Sequence, residues 1–239
     1  MLLPIAQGGH SVVSDLTLDI TSNASEVNIL TLAQAAGYSV SDSTNIIVNV
    51  ASGVTVSGSS TYAMRTGALN ADSNLTINVA SGAAITGFTG ANGSHGSCPG
   101  GAGSAGGDGI FFETSTGGSA VLSVGNSGTV SGGGGGGGGG GRQGGRQAYG
   151  PDDTDKIDKC APNGNVTVYT GSVGSQGSAG GLGQAGTSGG SGTFGGGDSR
   201  CVVYSPCAGG AGGAAGFSVR KNSRTVSIGG SGTYNGSTA

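Results

Sequence analysis

Side chains able to do acid–base or metal chemistry are few in this chain, and they form no known catalytic constellation. The two histidines, His10 and His95, stand far apart in sequence. Neither lies in a hydrolase or metal motif. Four carboxylates gather in Asp152-Asp153-Thr154-Asp155-Lys156-Ile157-Asp158. A calcium loop needs oxygen ligands at alternate positions and a late glutamate; that glutamate is absent, so this stretch reads as a solvated loop rim. Strings resembling Gly-x-Gly-x-x-Gly occur many times by chance and carry weight only between a strand and a helix. The spacing therefore predicts no catalytic residue, no cofactor and no metal, and the chain reads as a non-enzymatic binding protein.

The four cysteines, Cys98, Cys160, Cys201 and Cys207, all fall in the glycine-rich part. Four cysteines allow three pairings, and sequence alone does not choose among them. Cys201 and Cys207 flank Val202-Val203-Tyr204-Ser205-Pro206, a short loop that a local disulfide would close; four reduced thiols are the alternative. A zinc site is disfavoured, because the spacings match no common finger and His95 is the only nearby imidazole.

The scaffold that must position such loops is unusual. Of 239 residues 57 are Gly, with 5 Pro and no Trp, against about 7% Gly in an ordinary domain. Glycine loses the most backbone freedom on folding, so only a systematic interaction can offset that cost. Net charge is −3 and the nine basic residues are scattered, which gives no nucleic-acid footprint. No apolar run approaches the roughly 20 residues of a membrane span. The N-terminal residues lack the basic and apolar regions of a secretory signal. Synthesis in a cytoplasm followed by release on lysis suits that pattern.

Residues 1–90 predict β-structure. Asp15-Leu16-Thr17-Leu18-Asp19-Ile20, Asn45-Ile46-Ile47-Val48-Asn49-Val50 and Asn74-Leu75-Thr76-Ile77-Asn78-Val79 alternate apolar and polar positions, as a strand with one buried face does. Val27 to Leu32 is a further candidate strand, and a short helix over Leu32 to Ala36, stopped by Gly37, is a weaker signal. A repeat joins these runs: Val48 to Gly58 aligns with Ile77 to Gly87, and fainter copies occupy Val121 to Gly132 and Val226 to Gly236. Each copy is strand, Ser-Gly turn, short strand, glycine. Such recurrence predicts stacked rungs.

Residues 91–239 predict a second unit. Gly171, Gly174, Gly177, Gly180, Gly183, Gly186, Gly189, Gly192 and Gly195 recur every third residue; Gly100, Gly103, Gly106 and Gly109 do the same, and residues 132–141 are ten consecutive glycines. A period of three is that of polyproline II geometry. Collagen shares the period but needs abundant proline, and the 171–195 run has none. A packed bundle of polyglycine II helices is the expectation, with hydrogen bonds between helices replacing an apolar core. The fold class expected is all-β with an irregular glycine-rich C-terminal part.

Non-glycine residues cluster where tracts are joined: 94–99 with His95; 142–163 with Arg142, Arg146, Tyr149, Asp152 and Asp153; and 198–207 with Arg200 and Tyr204. Ile110 to Glu113 is either a fourth join or a buried strand. If the tracts pack side by side, the joins emerge at the bundle ends. Binding residues commonly sit on loops carried by rigid scaffolds.

The strands, then Ala63-Met64-Arg65-Thr66-Gly67, then Asn126-Ser127-Gly128-Thr129-Val130-Ser131 running into polyglycine, resemble the glycine-rich modules of tailed-phage tail-tip and tail-fibre proteins. The tracts with inserted loops are similar to the distal adhesins of T-even-like phages. From about residue 15 to the end, that resemblance implies a virion component whose tip loops contact a bacterial outer-membrane protein or surface glycan. It also implies other tail or fibre proteins as partners, in a homotrimer or as a cap on a trimeric fibre, with residues 1–14 as the expected attachment surface. The alternative is a purely structural virion protein, a fibre shaft or capsid decoration. An ice-binding glycine bundle and a polysaccharide-degrading tailspike fit less well, because charged inserts interrupt the first and no paired carboxylates mark the second.

Overall fold

The structure, a computed structural model, describes residues 14–113, 119–148, 167–195 and 202–239. Its first architectural unit is a coil of parallel strands, three to a rung. Sheet one is β1 (Ser14–Ile20), β4 (Thr44–Val50), β7 (Asn74–Val79), β10 (Ala120–Val124) and β16 (Val226–Gly230). Sheet two stacks β2 (Ala24–Ser25), β5 (Thr55–Ser57), β8 (Ala84–Thr86), β11 (Thr129–Ser131) and β17 (Thr233–Asn235). Sheet three is β3 (Val27–Asn28), β6 (Tyr62–Arg65), β9 (Asp108–Phe111) and β15 (Val219–Arg220). The predicted repeat copies are thus the first two strands of successive rungs.

Alternation places one side chain in two inside the coil, and parallel register stacks like on like. Leu18, Val48, Ile77, Leu122 and Ile228 form one column; Ala24, Val56, Ile85, Val130 and Tyr234 form another. Val48, Val56, Ile77, Ile85, Leu122 and Val130 are fully buried; burying each such side chain stabilises by about 1.5–3 kcal/mol. Outward positions form amide ladders. Asn49 Nδ2 donates to Asp19 Oδ1 at 2.8 Å and Asn78 Nδ2 to Asn49 Oδ1 at 2.9 Å. Asn45 and Asn74 repeat the pattern from Asp15.

The Ser-Gly corners are β-turns. Val54 N–H donates to the Ala51 carbonyl and Ala83 N–H to that of Ala80. Gly53 and Gly82 hold φ of 75° and 73° at the third turn position, which a type II turn requires. Ile110 to Phe111 proves to be buried strand in β9, not a join.

One expected strand is mostly helix. Only Val27–Asn28 pairs, with β6, and Ile29–Ala35 forms α1. The Asn28 side chain accepts from the Thr31 N–H, an N-cap that turns the chain out of the sheet. The helix starts before the expected Leu32, and Gly37 with φ 95° follows its cap.

The chain leaves the coil twice, between β8 and β9 and between β11 and β15, to build glycine segments. Six run side by side: the first (87–96), second (100–107), third (132–144), fourth (171–183), fifth (184–193) and sixth (207–216). Backbone hydrogen bonds link them at every third residue. The third segment accepts from Gly90, Gly93 and Gly96 of the first, from Gly174, Gly177 and Gly180 of the fourth and from Gly210, Gly213 and Gly216 of the sixth. It donates to the second through Gly133, Gly136 and Gly139, and to the fifth through Gly135, Gly138 and Gly141.

That arrangement explains the ten-glycine run. The third segment is flanked by the other five, so a side chain on any of its ten consecutive glycines would run into backbone. A Cβ at Gly136 would lie 2.0 Å from the Ala91 carbonyl oxygen, at Gly137 2.1 Å from that of Gly177, and at Gly138 2.0 Å from that of Gly210. Segments at the rim face inward with only part of their circumference and need glycine chiefly at every third position. Around the centre, donor and acceptor neighbours alternate, and the place between the first and fourth segments holds no backbone partner. There Asn92 Oδ1 accepts the Gly137 N–H at 2.7 Å and His95 Nδ1 accepts that of Gly140 at 3.3 Å.

After this excursion β15 re-enters the coil beside β9. Asp108, 8% exposed at its side chain, accepts from Arg220 Nε at 2.5 Å and Nη2 at 3.1 Å, and from the Phe217 N–H at 2.9 Å. Strands that follow the glycine segments therefore complete sheets begun before them.

Candidate functional site

The joins between segments emerge at two ends. The turn from the fourth to the fifth, at Gly181 to Gln184, folds back onto the β-coil: Gly183, with φ 68°, lies against Asn235 and Gly236. The described ends of the other joins come together at the far end. Here the first-to-second turn, Ser94 to Pro99, meets the end of the third segment, where Arg142 N–H donates to the Ser97 carbonyl at 2.9 Å. The start of the sixth segment closes on both, as Cys207 N–H donates to the Arg142 carbonyl and accepts through its own carbonyl from Gly192.

A disulfide fixes this junction. Cys98 pairs with Cys207, with Cα atoms 5.3 Å apart across 109 residues of sequence. The local Cys201–Cys207 loop closure is thereby replaced: hydrogen bonding around Arg142 brings the 94–99 turn beside Cys207, a proximity that only the bundle creates. Cys160 and Cys201 lie outside the described residues.

Beyond the junction the third segment becomes β12 (Gly145–Ala148), central in a small antiparallel sheet between β13 (Thr167–Thr170) and β14 (Val202–Tyr204). The glycine period ends where strand-forming Val168, Tyr169, Val202 and Val203 appear. Gly144 gives room for Phe194 and Pro206, either of which a Cβ there would meet at under 3.0 Å. Gly145 lies under the Tyr204 ring, and the Arg142 guanidinium stands 5.2 Å from that ring's centroid. Such a cation–π pair holds a broad amphipathic surface in place.

Of the expected contact residues, His95, Arg142, Arg146 and Tyr204 fall within this end, Arg146 on β12. His95 is exposed but also serves the scaffold, through its bond to Gly140. Tyr149, Asp152, Asp153 and Arg200 lie outside the described residues. Gly171, Gly174, Gly177, Gly180 and Gly183 donate to the third segment, and Gly186, Gly189 and Gly192 to the sixth; Gly195 lies next to Phe194. Pro206 lies in the expected 198–207 join, whereas Phe194 was not anticipated as part of the junction. Phe194 is the one aromatic inside the triplet run, and that break in composition was its signal. Among the described residues no group of histidine, cysteine and carboxylate side chains could hold a metal ion.

Residues 15–239 match the family of the phage tail fibre adhesin Gp38. Among curated proteins nothing matches the chain. A solved structure, the gp37–gp38 adhesin tip complex of the bacteriophage S16 long tail fibre, is similar at a TM-score of 0.46 and 20% identity, over 94% of this chain and 82% of that one. With the family match running from the first strand of the coil to the C-terminal residue, the chain belongs to the phage tail fibre adhesin Gp38 family, a virion component of the tail fibre with a receptor-binding role.

Proposed function

We propose that the glycine segments are polyglycine II helices forming a rigid mount, and that the joins at their far end bind a host receptor, an outer-membrane protein or surface glycan. Arg142 and Tyr204 supply the described part of the contact surface, continued by Arg146, Tyr149, Asp152, Asp153 and Arg200. The β-coil is the stem, and its first rung, next in sequence to the expected attachment surface at residues 1–14, faces another fibre protein; residues 1–13 lie outside the described residues. The observation that carries this reading is the gathering of the described ends of three joins around the Cys98–Cys207 bridge while the fourth join returns to the coil. Tyrosine and arginine on a preorganised surface give contact area at modest entropic cost.

The test is binding of the labelled protein to host cells. Arg142→Ala and Tyr204→Ala should each weaken binding by about 1–2 kcal/mol, roughly 5- to 30-fold, with melting unchanged. Full binding by the double variant, or by a protein with residues 149–163 replaced by Gly-Ser linker, would overturn the reading and favour a purely structural role.

A further inference from the structure

The outer face of sheet three carries a cavity that belongs neither to the tip nor to the interior of the coil. It encloses about 380 Å³ and is lined by Ser60, Thr61, Tyr62, Phe88, Phe111 and Arg220, among others. It sits at the base of the bundle, where the first segment leaves the coil and the second returns. We propose that this cavity is a binding subsite for a neutral sugar ring.

Three features point to that chemistry. First, the walls are aromatic in a chain with only five Phe and six Tyr. Tyr62 and Phe111 are stacked at 6.0 Å with 30° between planes, and Phe88 lies over Gly107. The Arg65 guanidinium lies over the Tyr62 ring, 5.4 Å from its centroid; the aromatic surface left facing the cavity carries negative quadrupole density, which attracts the polarised C–H face of a pyranose. Second, the charges in the cavity cancel. Both Asp108 oxygens are engaged by Arg220, with the Phe217 N–H also on Oδ1, so neither a cation nor an anion gains a free counter-charge.

Third, hydroxyl and guanidinium groups stand at the mouth. Ser60 Oγ donates to Glu26 Oε1 at 2.6 Å and lies 3.3 Å from Thr61 Oγ1. With the Ser60 proton on Glu26, Thr61 is the donor in that second bond, which leaves acceptor lone pairs on both hydroxyls for a ligand. Arg220 uses Nε and Nη2 on Asp108, and its Nη1 makes no hydrogen bond among the described residues. Aromatic walls with a few convergent polar groups are the usual make-up of a small-molecule site, and the volume falls in the usual range of about 300–1,000 Å³. A polyhydroxylated neutral ring satisfies both halves of this lining, whereas a purely apolar side chain would leave the mouth groups unmatched.

The site is independent of the tip, and its test separates the two. Saturation-transfer NMR on the intact oxidised protein, with the methyl glycosides of glucose, galactose and N-acetylglucosamine as probes, should transfer magnetisation to ring C–H protons of at least one. Tyr62→Ala should weaken that binding about tenfold, the loss expected for one aromatic contact. Arg220→Lys should weaken it while keeping a cation beside Asp108. Arg142→Ala and Tyr204→Ala should leave it unchanged. Absence of transfer to every glycoside at millimolar concentration overturns the proposal, as does transfer that persists in Tyr62→Ala. Binding of an apolar dye in the cavity without any glycoside would likewise overturn it, in favour of an apolar side chain from another fibre protein.

Discussion

Placing a single methyl group on the third glycine segment should be among the most damaging small changes available to this protein. In Gly137→Ala the new Cβ would lie 2.1 Å from the Gly177 carbonyl oxygen and 2.5 Å from its carbon, all of it backbone that cannot rotate aside. Reaching even 3.0 Å requires the fourth segment to move out by about 0.9 Å, the difference of the two distances. The adjacent bonds from Gly177 to Gly138 and from Gly180 to Gly135 are 2.8 Å long, and that movement takes them beyond hydrogen-bonding reach. Two lost bonds at about 1 kcal/mol each and about 1–3 kcal/mol of overpacking sum to about 3–5 kcal/mol. Alanine's smaller unfolded-state entropy offsets about 0.4–1 kcal/mol of this. A net loss of about 3 kcal/mol corresponds to melting roughly 6–12 °C lower for a chain of this size. The matched control is Gly181→Ala, whose Cβ meets only the flexible Gln184 side chain, at 3.3 Å, and whose melting should stay near that of the parent. Thermal unfolding by circular dichroism on oxidised protein measures both. Melting of Gly137→Ala within about 1 °C of Gly181→Ala, a difference under about half a kcal/mol, would refute the close-packed arrangement of the segments.

Replacing both Cys98 and Cys207 with Ser removes a link spanning 109 residues; in the chain-entropy picture this costs about 4–5 kcal/mol, seen as a lower denaturant midpoint and faster exchange of the Gly139 to Arg142 amides. Asp108→Ala should destabilise by about 1–3 kcal/mol, the lower end applying because the Arg220 side chain is 39% exposed and regains water; a denaturant midpoint unchanged from the parent would contradict the clamp. For pH, the Ser60 hydroxyl holds the Glu26 carboxyl below the ordinary carboxylate range, with Ser59 adding to the effect. Because the folded-state value is depressed, the associated stabilisation is present above the unfolded carboxylate range and is lost as pH falls through the folded value. Ser60→Ala should bring the Glu26 midpoint, read by carbon-detected NMR, back up toward normal. In the coil, Asn49→Ala breaks the ladder between Asp19 and Asn78 and should cost about 1–2 kcal/mol; an unchanged melting curve would show that water replaces the ladder at no cost.

Periodicity along the chain set much of this structure. Alternation from Asp15 to Ile20 and its copies dictated strands with one buried face, and the Ser-Gly corners dictated where they turn, because only Gly53 and Gly82 tolerate the left-handed conformation without strain. The triplet spacing from Gly171 onward dictated that a neighbour approaches every third residue. The joins rich in Arg and Tyr were visible as breaks in that spacing. These are local properties, carried by side-chain size and sign at fixed intervals.

What lay beyond reach depended on contacts distant in sequence. Val27 to Leu32 alternates like a strand, yet the Asn28 cap and the docking of Ile29 against the core turn most of it into helix. The partner of Cys207 was undecidable from spacing, because Cys98 approaches it only when the first and sixth segments flank the third. Strand β15 lay outside every repeat copy and could not be assigned to the coil from the sequence, since its pairing with β9 follows from the bundle returning the chain to where it left. The cavity at Tyr62 and Phe111 is likewise tertiary, its lining drawn from residues as far apart as Ser60 and Arg220. Repeating elements declare themselves in the sequence because each copy obeys the same short-range rule, whereas the single-copy contacts that join them exist only once the copies have stacked.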